Sequence, residues 1–150
     1  LRSESSSVKE FNSIPYMNDY LTAVLPATHP LAKADNLPFE QLRGETFLLF
    51  PEHSFINDLC IRECRNAGFE PHIAYTGNRG ATLIDLVRNG AGITLMMHHS
   101  ARQENDSSLA FIPVTPGIYS YISLNYAKEK PLSPQAESFV RYVKAHKRDF

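Results

Sequence analysis

The stretch from Thr46 to Met96 constrains the fold most. Thr46-Phe-Leu-Leu-Phe50 is an apolar run closed by Pro51, which predicts a buried strand. Ile56 to Ala67 carries apolar or small residues at 56, 59, 60, 64 and 67, a helical spacing, and Gly68 supplies the stop. Pro71-His-Ile-Ala-Tyr75 predicts a second strand. Gly77-Asn-Arg-Gly80 predicts a turn into a second helix, with Leu83, Ile84, Leu86 and Val87 facing inward and Gly90 at its end. Gly92-Ile-Thr-Leu-Met96 predicts a third strand. This β-α-β-α-β order over short connections is the pattern of a parallel sheet with helices on its faces.

The flanks are less regular. Tyr20 to Leu25 predicts a strand stopped by Pro26, then a loop over Ala27–Ala32, then a helical turn at Pro38-Phe-Glu-Gln-Leu42. A polar loop is expected at Arg102–Ser108, followed by strands at Leu109–Val114 and Ile118–Tyr126. In the second of these, Ile118, Ile122, Leu124 and Tyr126 share one face, and Tyr119, Tyr121 and Asn125 share the other. Ser133 and Pro134 predict the cap and first residue of a final helix whose apolar stripe is Phe139, Val140 and Val143. The first 18 residues hold a serine-rich run without clear periodicity, and Leu1-Arg-Ser reads as the tail of a strand.

Composition narrows the function classes. A chain of 150 residues, 43% apolar and 21% charged, is long enough to build a core and ordinary for a soluble domain. No apolar stretch approaches the roughly 20 residues a membrane helix needs, and no basic-then-apolar leader is visible. A net charge of -1 leaves no electrostatic footprint for nucleic acid. Cys60 and Cys64 stand four apart on one helix face, a poor geometry for a disulfide and a weak zinc signal. They read as reduced structural thiols of a cytosolic protein.

In open parallel sheets, ligands lie outside the carboxyl ends of the strands. Three segments should converge there: Pro51–Ser54, Gly77–Gly80 and Met97–His99. Ser54 can cap its helix, and that helix start offers unpaired N–H groups with partial positive charge. Asn78, Arg79 and Gly80 open the second helix and add a guanidinium, so a carboxylate or another small anion suits the two helix starts together. The same residues also suit plain caps and a solvated arginine. His98 and His99 could join His53 in a three-histidine metal site, but no HxH or HExxH spacing supports it, and the pair reads instead as the rim of a cleft. No metal, cofactor or convergent acid–base set is indicated, so no catalytic residue is assigned.

The order of these motifs resembles the effector-binding domain of LysR-type transcriptional regulators. The residues that carry the resemblance are Asp19–Ala32 with its His-Pro-Leu-Ala end, Pro38–Leu42, Thr46–Phe50, Gly68–Pro71, Leu86–Leu95 and Pro131–Ala136, over residues 14–146. The resemblance implies an α/β fold of two subdomains, like periplasmic solute-binding proteins, joined by crossover strands. Residues 1–27 would hold the end of subdomain I and a crossover strand, residues 28–103 subdomain II, and residues 104–150 the return crossover with the last strand and helix of subdomain I. The winged helix-turn-helix region and about half of subdomain I are expected to be absent from this sequence. Effector binding between the subdomains would alter a dimer or tetramer, and thereby promoter DNA binding through the absent domain, with RNA polymerase as a further partner and no membrane involved. Mapped onto this sequence, the effector contacts fall at Ser54, Phe55, Asn78, Arg79, Gly80, Met97 and His98. The peroxide-sensing branch has a reactive cysteine where Phe55 stands, which argues against that chemistry here. A transporter's solute-binding protein shares the implied fold and is the alternative; an enzyme on the same scaffold is a third reading.

Overall fold

In the computed structural model, residues 10–102 and 106–146 are described. The expected strand tail at Leu1-Arg-Ser, the serine-rich run and residues 103–105 of the expected loop lie outside them. The chain divides into two compact units, Tyr20–Ile118 and Leu1–Asp19 with Tyr119–Phe150.

Within the unit Tyr20–Ile118, the alternating pattern forms as read. Strand β3 (Thr46–Leu49) pairs in parallel with β4 (His72–Thr76). Phe47 also bridges Ile93 in parallel, through Leu48 N–H to Ile93 O and Ile93 N–H to Thr46 O, both 2.8 Å. One correction follows. The main partner of β5 (Thr94–Met97) is antiparallel: it pairs with β1 (Phe11–Pro26) from Leu21↔Met97 to Val24↔Thr94. On its other edge β1 pairs antiparallel with β6 (Leu109–Thr115), and β6 takes the two-residue β2 (Leu37–Pro38) in parallel. The sheet is therefore mixed. Local periodicity reports burial on two faces but carries no record of which non-local strand lies alongside.

Alternation along the strands splits the core in two. Ala23, Phe47 and Leu95 face one cluster, with Leu59, Cys60 and Cys64 of α1 (Phe55–Asn66). Their neighbours Val24, Leu48 and Met96 face another, with Leu83, Ile84 and Val87 of α2 (Gly80–Arg88). A period of two thus puts one helix on each side of the strands. Each fully buried leucine, valine or phenylalanine among them contributes about 2 kcal/mol. Leu86, expected inward, is only half-buried. Gly68 ends α1 with φ +80, the left-handed conformation that favours glycine after a helix.

Strand β1 is longer than expected. The sequence predicts Tyr20–Leu25, whereas the strand begins at Phe11. Its first part pairs with β7 (Tyr119–Ala127), a partner more than 90 positions away that no local pattern announces. In the smaller unit, α4 (Pro134–Ala145) starts as read, with Ser133 Oγ accepting the Ala136 N–H at 3.2 Å. Val140 and Val143 pack with Ile14. Phe139 does not: it is 56% exposed, because it lies about 100° around the helix from Val140 at the margin of the buried stripe. Ile122 is exposed as well, so the alternation read for β7 buries only part of its apolar face.

Candidate functional site

Because β3 and β4 run parallel and Ile93 joins β3 in the same sense, the carboxyl ends of β3, β4 and β5 fall on one edge of their unit. Gly77 N–H donates to Leu49 O at 3.0 Å, which seats the turn after β4 beside the end of β3. Ser54 caps α1: its backbone is extended and its Oγ accepts the Asn57 N–H at 3.3 Å. Phe55, the first helical residue, is 44% exposed. Asn78 does not cap α2. The N-cap is Arg79, whose extended backbone presents an exposed side chain that makes no cap bond. Gly80 opens α2 against Phe50, whose ring edge lies 3.8 Å from where a Cβ would stand.

Met97 ends β5, and His98–Ala101 follow it as a single helical turn, α3. The His98 ring stacks on Tyr20 (centroids 4.5 Å apart, planes 17° apart), and its Nδ1 lies 3.3 Å from Thr22 Oγ1. The register explains this, since Leu21 opposite Met97 puts Tyr20 and Thr22 beside the end of β5. Among the described residues, no group of three or more His, Cys, Asp or Glu side chains is arranged to hold a metal ion.

Sequence reasoning missed Asn57. It is 1% exposed, and its Nδ2 donates to Phe50 O at 2.8 Å, closing the loop that carries Ser54. A signal was available: residues 57, 60 and 64 fall on one helical stripe, so a polar Asn57 belongs to the buried face. Tyr20 and Thr22 had no such signal, because their role depends on the pairing of β1 with β5. A cavity of about 440 Å³ lies between Glu52-His53, the first two turns of α1 and strand β4. None of the residues expected to contact an effector lines it.

The thiols are buried and unbridged. Burial, with Cys64 nearby, pushes the Cys60 thiol far up, and burial with the Glu70 and Glu63 carboxylates pushes Cys64 up to about 12. Thiolate, the reactive form, is thus suppressed at neutral pH. Neither cysteine should react with Ellman's reagent in the folded protein, and both should react once urea unfolds it. Stoichiometric labelling of native protein would contradict this assignment.

The fold is that of the periplasmic-binding-protein-like α/β domains. It is similar to the regulatory domain of CcmR from Synechocystis PCC6803 in complex with 2-PG (TM-score 0.81, 19% identity, covering 93% of this chain and 68% of that one). It is also similar to the effector binding domain of QuiR in complex with shikimate (TM-score 0.73, 19% identity, 98% and 68%). The chain belongs to the LysR substrate binding domain family, whose model it matches over residues 1–148. Among curated relatives, it is 30% identical over 122 residues to the transcriptional dual regulator GltC of Bacillus subtilis, covering 81% of this chain and 41% of GltC. It is 26% identical over 137 residues to the uncharacterized HTH-type transcriptional regulator YwbI of the same organism, covering 91% and 46%. The chain thus spans less than half the length of these relatives. No helix among the described residues is long and apolar enough to cross a membrane.

Proposed function

We propose that this chain is the effector-sensing and oligomerising part of a bacterial LysR-type transcriptional regulator acting in the cytoplasm. Ser54, Phe55, Asn78, Arg79, Gly80, Met97 and His98 form the effector-facing edge of the unit Tyr20–Ile118. The effector is a small anion, most simply a carboxylate. The observation that carries this reading is the shared edge of three strand ends, at which α1 and α2 both begin and Arg79 stands exposed at an N-cap. Two helix starts and a guanidinium present N–H donors and positive charge to one ligand. Phe55 and Met97 add apolar surface for a ring or an alkyl chain. The ligand switches the regulator by binding its two arrangements with different affinity. Through a dimer or tetramer, that difference reaches promoter DNA by way of the regulator's winged helix-turn-helix region, and RNA polymerase there. The curated relatives are regulators, which favours this reading over a transporter's solute-binding protein and over an enzyme.

The test is a thermal-shift screen against aliphatic and aromatic carboxylates, using the longest natural chain that carries these residues. A ligand at a hundredfold over its Kd adds about 2.7 kcal/mol, a rise of roughly 5–10 °C for a protein of this size. Arg79→Ala should abolish the shift at equal ligand concentration, and Ser54→Ala should reduce it. If no carboxylate shifts a well-folded sample, the anionic assignment fails. Unchanged affinity in both variants refutes the placement.

A further inference from the structure

We infer that His29 is a proton-sensitive latch: protonating its ring releases the Leu31 N–H while the ring keeps hold of Glu45. The latch sits at the amino end of β3, away from the proposed effector-facing edge, and does not rest on that proposal. It belongs to the His-Pro-Leu-Ala stretch, to which no binding role falls. His29 is the N-cap of a short helical turn, Pro30–Lys33, and its Nδ1 accepts the Leu31 N–H at 3.2 Å. Pro30 has no N–H, so that of Leu31 is the first donor of the turn in need of a partner. The other ring nitrogen, Nε2, lies 3.3 Å from Glu45 Oε2. A ring that accepts at Nδ1 and faces a carboxylate with Nε2 is neutral and carries its proton on Nε2.

An imidazolium donates from both nitrogens and accepts at neither. A second proton therefore turns the Glu45 contact into an ion pair and sets a donor against the Leu31 N–H. Histidine is the side chain that makes this change near neutral pH. The latch joins two strands to the turn. His29 N–H donates to Pro26 O, at the end of β1, at 2.9 Å, and Glu45 immediately precedes β3. Leu31, Ala32 and Ala34 pack on the core cluster that contains Phe47. Protonation thus loosens the start of that turn but leaves its tie to β3 in place. Other charges do not compete for the ring. The cavity beside it has His29 and Glu45 as its titratable lining residues, and β6, which packs against the turn, contains no titratable residue. Lys33 and Asp35 are exposed, and Arg43 is turned to Ala67 O and the Phe69 ring.

The experiment is an NMR titration of the full chain from pH 8.5 to 5. Long-range ¹H–¹⁵N correlations report the His29 ring, and hydrogen exchange, corrected for the intrinsic rate at each pH, reports the amides. At pH 8.5 the proton should be on Nε2. The protection of Leu31 should then fall about fivefold, the effect of losing one side-chain cap, with the same midpoint as the ring. The Ala32 N–H, which donates to His29 O at 3.0 Å and feels the same charge, should keep its protection. His29→Asn retains a cap acceptor that takes up no proton, so Leu31 should stay protected across the range. A ring protonated on Nδ1 at pH 8.5 overturns the latch. So does Leu31 protection that ignores the ring's titration, or that falls over the same pH range in His29→Asn.

Discussion

Gly92→Ala lowers the stability of the unit Tyr20–Ile118 by about 3 kcal/mol, the upper end of what overpacking costs. A Cβ at Gly92 would stand 2.4 Å from Thr46 O and 3.2 Å from Thr46 C, both backbone atoms of a central strand. Neither can yield without moving β3. The same carbonyl accepts the Ile93 N–H at 2.8 Å, so the substitution pries apart the bridge that joins β3 to β5. Gly90→Ala is the control. A Cβ there meets nothing within 4 Å, but φ is +76, so its cost is conformational, about 1–2 kcal/mol. Urea unfolding followed by circular dichroism separates the two. A Gly92→Ala midpoint no lower than that of Gly90→Ala would show that the close approach does not govern stability.

Phe47→Ala should cost about 4 kcal/mol, the middle of the range for removing a buried aromatic ring. Phe47 is fully buried, lies opposite Ile73 on one side and bridges Ile93 on the other, and its ring tilts against Phe69 at 6.5 Å. It is thus surrounded on every side, and the site cannot collapse to fill the void. Phe47→Leu keeps an apolar side chain there and should cost markedly less than Ala. The measurement is again the urea midpoint, read with an unchanged m-value. A loss below 1 kcal/mol in Phe47→Ala would mean that the core around β3 repacks freely. Phe47 and Gly92 share the bridge at Ile93, so their costs should not add, and the double variant measures the coupling directly. Both substitutions act on the strand alignment that carries the proposed effector-facing edge.

Much of that edge is legible in the residues because the signals are local. The stop after Phe50, the Ser54 cap, the 3.6-residue stripe over 59, 60 and 64, and Gly68 all report structure within a few positions. The same holds for Ser133-Pro134 and α4. The expected effector contacts Ser54, Phe55 and Arg79 could be placed on helix starts for that reason.

Two of the features that sequence reading missed depend on contacts distant along the chain. β1 reaches back to Phe11 because β7 pairs with it. His98 is tied to Tyr20 and Thr22, 78 and 76 positions away, only because β1 runs antiparallel to β5. Asn78 loses the capping role to Arg79 through one residue of helix phase, a shift smaller than composition can specify. What the sequence by itself determined is the series of strands, helices and caps, because each follows from side-chain shape and hydrophobic period over short spans. Only the tertiary structure decided which strand lies beside which, and with it the surroundings of His98. Those depend on the free energy of burying whole faces together, a quantity no short stretch of chain contains.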